Sequence, residues 1–419
     1  MKIALISQPY DGVFPPNQSS IGLINYNTAI EMAQYHPVTL FSKKKPGIEL
    51  AEDLPFAPVF LSAKADDTLQ HLATCYPRWS RRFGISTLAD SHYFYARSVL
   101  RELDPLNPDI IHVMNYWSWC RHFRSRVRQQ RRIVLEMQCE WLSQIDTKQI
   151  LNALEATDAV IAVSDHIARL FRVSFPAYRG PVVTAYNGVN VEIFQPDPKR
   201  DSDNDDFSVL FVGRVSPEKG IHTLIEAFAQ VVSKNDHVKL IIAGPRDTLR
   251  EDFIVGISAD PLVQALNRFY NSSVSSDYQC YLDELVSRLG LSSKVSFLGR
   301  IPHKELVHRY QSSSVVVNPS LSESFGISIV EGMACGIPVV GTKVGGMLET
   351  IVDGKTGLLV EPEQPDLLAE AIISLLKDQE TRRRMGVNGR IRAIEHFSWH
   401  ARVDRLLSAY QMVLGQGCV

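Results

Sequence analysis

Short runs of β-branched and other apolar residues recur along the chain, each closed by a polar or glycine-bearing turn and followed by a segment of helical period. In the first half they read KIALIS, PVTLFS, DIIHVM, RIVLEM, DAVIAVS and PVVTAY; in the second, FSVLFVG, VKLIIAG, KVSFLG, SVVVNP, IPVVGT and GLLV. A strand that is apolar at consecutive positions has both faces covered, the condition of a parallel strand between layers of helices. The pattern predicts an α/β protein of two doubly wound domains. Between the two series PDPKRDSDNDDF carries no apolar period and reads as a solvated linker. The expected division is a first domain over 1–195, a linker over 196–206 and a second domain over 207–397. The closing stretch, FSWHARVDRLLSAYQMVL, has an amphipathic helical period. It is expected to return to the first domain as a helix within 398–419. Residues 246–278 lengthen one strand-to-helix connection of the second domain and read as a surface insertion with a short helix.

The 419 residues fit two domains better than one core. With 45% hydrophobic and 21% charged residues and a net charge of -2, the chain is globular and gives no reason to expect a nucleic-acid partner. Its six cysteines are irregularly spaced without a C-x-x-C, against both a disulfide framework and a zinc ribbon and in favour of a reducing cytoplasm. The opening MKIALISQPYDG is too short in apolar residues for a signal or an anchor.

Two stretches carry candidate chemistry. In SVVVNPSLSESFGISIVEGMACGIPVV a strand ends at Asn318-Pro319, a serine-rich loop follows, and a helix is expected from about Phe325-Gly326. The first turn of that helix leaves the amides of Phe325, Gly326 and Ile327 free for a phosphate. Glu323 and Glu331 flank the turn. As ionised carboxylates they accept only, so beside a phosphate they suit hydroxyl groups, one holding a sugar and the other the vicinal diol of a ribose. A second pair at the same spacing, Glu218 and Glu226, reads as part of one helical segment without such a loop. In FVGRVSPEKG, Arg214 follows a strand and Lys219 opens the next helix, two cations at the carboxyl end of a sheet, where a diphosphate fits.

GRVSPEKG followed about a hundred residues later by ESFGISIVE resembles the signature of retaining glycosyltransferase family 4, a GT-B fold of two Rossmann-like domains facing across a cleft. YNGVN, AVIAVSDHI, FLGRIP and GIPVVGTKVGG are similar to further pieces of that family. The resemblance implies a hexosyltransferase of the type that builds bacterial envelope polysaccharide or glycolipid, with the first domain taking the acceptor and the second holding the nucleotide sugar. UDP-glucose is the first expected donor and GDP-mannose the second, and the acceptor is a carbohydrate or lipid-linked sugar. It implies no cofactor and no metal: Arg214 and Lys219 neutralise the departing diphosphate, Glu323 binds the sugar with the amides of Phe325, Gly326 and Ile327, Glu331 takes the ribose, and Arg300 and Ile301 edge the base. Ser19 and Ser20 stand where the family often has a Gly-Gly turn, and the amides of Ser20, Ile21 and Gly22 are left to face the diphosphate or the acceptor. Gln138 stands where the family frequently has a catalytic histidine, with Cys139 and Glu140 as neighbouring candidates. His112, inside an apolar strand, reads as a packed core residue.

The basic run Arg121–Arg132 reads as an exposed helix, with anionic lipid head groups or a phosphate-bearing acceptor as the functional alternative, and peripheral contact at the inner membrane follows from the former. Trp79, Tyr93, Tyr95, Tyr116, Trp117, Trp119 and Trp141 are read chiefly as core, with stacking on an acceptor sugar the functional alternative. The alternatives to a polysaccharide or glycolipid hexosyltransferase are a synthase using a phosphorylated sugar acceptor and a nucleotide-sugar-binding protein without transfer. A dehydrogenase is disfavoured, since no G-x-G-x-x-G follows a strand.

Overall fold

A computed structural model of the chain describes residues 1–415 apart from 17, 49, 77–90, 129, 145–146, 199–206, 249–250, 252–253 and 271–277. Trp79 and most of the expected linker, including the acidic stretch after Arg200, therefore lie outside the described residues. The chain forms two units, Met1–Gly188 with the segment from Trp399 onward, and Val189–Ser398.

In the first unit, strands β1 (Ile3–Ile6), β2 (Val38–Lys43), β3 (Ala57–Leu61), β4 (Ile110–Met114), β5 (Arg132–Met137), β6 (Ala159–Ala162) and β7 (Val182–Thr184) form one sheet. Its order is β3-β2-β1-β4-β5-β6-β7, and every pairing is parallel. In the second unit, β8 (Phe207–Val212), β9 (Val238–Ala243), β10 (Val295–Gly299), β11 (Val315–Asn318), β12 (Val339–Thr342) and β13 (Gly357–Val360) run in the order β10-β9-β8-β11-β12-β13, again all parallel. Central strands such as β4 and β11 are buried along their whole length, as their unbroken apolar runs require. Strand β3, APVFL, is not among the runs picked out by sequence. It is an edge strand with Pro58 inside it, a position where a missing N–H costs little and the usual strand signal is lost.

In each sheet the strand order reverses once, at β1/β4 and at β8/β11. Connections from the carboxyl ends of two such neighbours diverge and leave a crevice where open α/β sheets take their ligands. Arg214, Lys219 and Glu323 follow the two strands of the second reversal, whereas Arg300 and Ile301 follow β10 and Gln138 follows β5.

The boundary between the units falls at 188/189, earlier than the expected 195. Val189 bridges to Ser398, and its amide donates to Phe397 O at 2.7 Å. The fully buried Phe194 packs on Tyr310 and His303, and Arg390 caps the carbonyls of Val191 and Phe194. These contacts bind 189–194 to the second unit.

The last helix, Trp399–Leu414, places Val403, Leu406, Ala409 and Tyr410 in the core of the first unit. It also delivers Arg402, 1% exposed, to the equally buried Glu136 of β5 through bonds of 2.7 and 2.9 Å. Arg402 further donates to Thr28 Oγ1 and the carbonyl of Ala185, while His112 lies 2.9 Å from Glu136 and bonds Tyr410. His112 is thus a core residue, but a polar one. Burial opposes the charge on Glu136, yet Arg402 and His112 outweigh it and hold the carboxyl well below its ordinary range.

Of the basic run, Arg124 bonds Asp158 and the carbonyls of Ala156 and Arg131; Arg131 pairs with Asp104 and Asn107, and Arg132 with Asp158. Arg121, Arg126 and Arg128 are exposed. Among the described residues no helix is long and apolar enough to cross a membrane.

Arg402→Met is expected to destabilise the first unit by about 3–5 kcal/mol, because it strands a buried carboxylate. Adding Glu136→Leu should recover part of that loss. Urea melts followed by circular dichroism check both, and a neutral Arg402→Met would show that the pair does not anchor the helix. Since the folded carboxyl titrates below its unfolded value, its contribution is present above about pH 4.3 and disappears as pH falls.

Candidate active site

The second unit brings its candidates together at the β8/β11 reversal. After β8, Arg214 leads into a short 3-10 turn, Pro217–Lys219, closed by Gly220 at φ +64°. A Cβ on Gly220 would lie 2.1 Å from Pro319 O, so only glycine lets this turn touch the loop that follows β11. Leu321 N donates to Glu218 O at 2.8 Å and stitches the same two segments. Gly220 also separates Glu218 from the helix Ile221–Lys234 that holds Glu226, so the two glutamates do not share a helical segment as expected. Glu218 is instead buried, bonded by Ser216.

That contact sets Lys219, at the end of its 3-10 turn, against Glu323. Nζ lies 2.8 Å from Oε2, which also receives Asn318 Nδ2 at 3.2 Å and Ser320 Oγ at 3.5 Å. Burial works against both charges. Even so, Glu323 holds Lys219 above its ordinary pKa, and Lys219 with its neighbours holds Glu323 below its own. Arg214, half-buried beside them, has no ion-pair partner among the described residues. Glu218, buried next to Lys219, adds to the pull on it, so two cations face two carboxylates here.

The Phe325 amide donates to the Glu323 carboxylate. It is therefore not one of the free helix-start amides expected. The helix begins at Ile327, after Gly326 at φ +90°, and the amides of Gly326 and Ile327 have no intramolecular acceptor among the described residues. Gly345 and Gly346 close the turn from behind: a Cβ on either would lie 2.0 Å from Glu323 O or 2.2 Å from Ser324 O, and Gly346 N donates to Glu323 O.

Glu331 sits one turn into the helix, almost fully buried, with Tyr310 OH at 2.6 Å and His303 Nε2 at 2.7 Å. Neither partner was singled out from sequence. Their spacing puts both on one face of the helix His303–Gln311, but only the fold shows what that face meets. Burial depresses His303, and Glu331 more than reverses this, so its pKa is raised. Arg300, exposed, and Ile301 lie on the turn between β10 and that helix.

The first unit treats its candidates differently. The helix Ser20–Met32 is capped by Ser19, whose Oγ accepts from Gly22 N at 3.0 Å. The Gly22 amide is thus occupied, while those of Ser20 and Ile21 have no such cap. Gly22 is needed for close approach and not for a positive φ: its Cβ would stand 1.7 Å from Gly12 O. Gln138 is buried, exchanging bonds with Asn187 at 2.7 and 3.1 Å and donating to Glu136. Its amide N–H bonds Asn115. The side chain expected to be catalytic is committed to this internal network.

Residues 181–392, half of the chain, match the family described as glycosyl transferases group 1, and residues 25–193 match glycosyltransferase family 4. The chain belongs to the group 1 glycosyl transferases. Similar members include the D-inositol 3-phosphate glycosyltransferases of Corynebacterium diphtheriae, 33% identical over 53% of this chain and 48% of that one, and of Thermobifida fusca, 30% identical over 66% and 61%. This group 1 chain thus spans about half to three-fifths of the length of those curated relatives. Among solved structures, sucrose-phosphate synthase from Thermosynechococcus elongatus has a TM-score of 0.68 at 22% identity, covering 99% of this chain and 100% of that one. Anabaena HepE in complex with UDP and glucose has a TM-score of 0.69 at 20% identity, covering 98% and 100%. These likenesses show the fold, GT-B.

Lys219→Met should lower the stability of the second unit by about 1–3 kcal/mol, by leaving Glu323 without its cation. Arg214→Met, which breaks no pair, should stay within about 0.5 kcal/mol of the parent. Equal melting temperatures in the two variants would remove the structural part given to the Lys219–Glu323 contact. For His303, an NMR titration should find a midpoint above about 6.5. Its raised pKa gives stability that is complete below that value and lost as pH rises through the folded midpoint, and His303→Gln should abolish this dependence.

Proposed function

We propose that this group 1 glycosyl transferase moves a hexose from a nucleotide diphosphate sugar to a hydroxyl of a carbohydrate or lipid-linked acceptor, in polysaccharide or glycolipid synthesis. UDP-glucose is the first donor and GDP-mannose the second. The observation that carries the reading is the β8/β11 reversal, where among the described residues Arg214 has no ion-pair partner, Lys219 is held by Glu323, and the amides of Gly326 and Ile327 find no acceptor.

A diphosphate gains negative charge as its bond to the sugar breaks. Fixed cations and helix-start amides favour that state over the ground state. Arg214 and Lys219 take this role, which makes a metal unnecessary to the proposal. Glu323, already oriented by Lys219, Asn318 and Ser320, accepts from the sugar hydroxyls. Glu331 accepts from the ribose diol, with His303 and Tyr310 fixing its carboxylate, and Arg300 with Ile301 edges the base. Retention of configuration is part of the proposal: attack comes from the face the diphosphate leaves, and its oxygen takes the acceptor's proton. Gln138 serves as a positioning residue, through Asn187 and Glu136. The work is assigned to the cytoplasm, with peripheral contact at the inner membrane.

UDP and UDP-glucose should raise the melting temperature, by up to about 2.7 kcal/mol of stabilisation at a hundredfold excess over Kd. In calorimetry, Arg214→Ala and Lys219→Ala should each weaken UDP by about 1.5–3 kcal/mol, roughly 10- to 150-fold. EDTA should leave transfer intact, and the product should keep the donor's anomeric configuration by NMR. Unchanged UDP affinity in both variants would end the diphosphate assignment.

A further inference from the structure

The helix Gln379–Phe397 of the second unit is apolar on two sides. One side packs inward, with Met385, Gly386, Gly389, Ala393 and Phe397 buried. A Cβ on Gly386 would lie 2.0 Å from Gly336 O, so this side is pressed against the end of the helix Ile327–Ala334. The other side carries Val387, Ile391 and Ile394, which are 53%, 48% and 43% exposed. Spaced four and three residues apart, they form one row along the helix. A helix whose inner face already meets its core ordinarily turns polar residues outward. No other helix among the described residues exposes three large apolar side chains.

The row is held rigid and widened by the arginines on either side of Ile391. Arg390 bonds the carbonyls of Val191 and Phe194, and Arg392 those of Glu349 and Thr350. The two segments fixed in this way carry Ile193 and Leu348, 45% and 51% exposed. Five aliphatic side chains, each about half exposed, amount to on the order of 400 Å² of apolar surface, the size at which a patch marks a contact.

Charge is ordered along the same face. Arg383 and Arg384 stand about a turn before Val387, with Glu380 a turn further out, and Glu395 follows Ile394. All four are exposed; the two arginines form no ion pair among the described residues, and Glu395 only reaches His396 at 4.0 Å. The face is therefore basic at its amino-terminal end, apolar in the middle and acidic at its carboxyl end. Two such faces laid antiparallel put the basic end of each against the acidic end of the other, whereas a parallel pair would set like charges together.

We infer that this face is an interface between two copies of the chain, packed as an antiparallel pair of helices about a two-fold axis near Ile391. The inference is independent of the transfer reading above. Self-complementarity is what an isologous contact demands, and it decides for a second copy over a lipid surface, which has no use for the acidic end.

Sedimentation equilibrium on the full chain tests this. A monomer–dimer equilibrium with a micromolar Kd is expected, as suits an interface of about 1,000–1,200 Å². Ile391→Asp should weaken it about a hundredfold, by burying a charge at the axis, and leave the melting curve unchanged because the side chain is half-exposed in one copy. Arg384→Glu and Glu395→Arg should each weaken the dimer about fivefold, two surface pairs being lost at once, and the double variant should return to within about twofold of the parent. That rescue is the signature of antiparallel self-pairing. Under mild oxidation Ile391→Cys should give a covalent dimer that neither the parent nor Lys377→Cys gives. A chain that stays monomeric at about 200 μM, well above the Kd of an interface of this size, would overturn the inference. So would a dimer that survives Ile391→Asp, a double variant no better than the single ones, or a monomeric chain that floats with phosphatidylglycerol vesicles and loses this in Ile391→Asp.

Discussion

The contact between Lys219 and Glu323 organises the second unit's candidate site. The two residues are supplied by connections from neighbouring strands, and neither charge would tolerate its degree of burial without the other. Backbone contacts bring them together: Gly220 against Pro319, Leu321 against Glu218, and Gly345 and Gly346 against the chain at Glu323 and Ser324. Each of these glycines stands where a methyl group would hold the segments apart. The ion pair is then less an isolated attraction than the closing element of a loop cluster whose spacing the backbone has already set. Arg214, outside the pair, keeps its charge available.

Buried charge is handled in two ways in the first unit. Glu136 is surrounded by Arg402, His112 and Gln138, which satisfy it and tie the last helix to the sheet. A complete network of this kind fixes one arrangement of the elements that meet in it. Asp11 has hydroxyl and amide donors but no direct cation. The difference appears in their opposite pKa shifts, Arg402 and His112 lowering Glu136 while burial raises Asp11. Gln138 belongs with Glu136 in this respect. Its side chain donates and accepts within the unit, which suits a residue acting on its neighbours better than one reaching a substrate.

The strand runs and the two signature stretches were legible because their information is local. Consecutive apolar residues mark a strand covered on both faces, and β1, β4, β8 and β11 stand where the pattern put them. Strand β3 escaped because Pro58 hides an edge strand, and the Gly22 amide, read as a free helix-start donor, is taken by the Ser19 hydroxyl that caps the helix. The Phe325 amide looked free by helix-start logic, until the Glu323 side chain, two residues earlier, turned back to accept from it.

What the amino-acid order determined by itself was the kind of sheet, the succession of its strands and the residue types delivered to the strand ends, since these follow from period, turn chemistry and side-chain identity. Only the tertiary structure decided which charges are paired. Lys219 meets Glu323 across 104 positions, Glu136 meets Arg402 across 266, and Tyr10 gains its aromatic backing from His92 and Tyr116. Whether a side chain is compensated or left available depends on distances between remote segments, and those distances exist only once the sheets have set their strands in order.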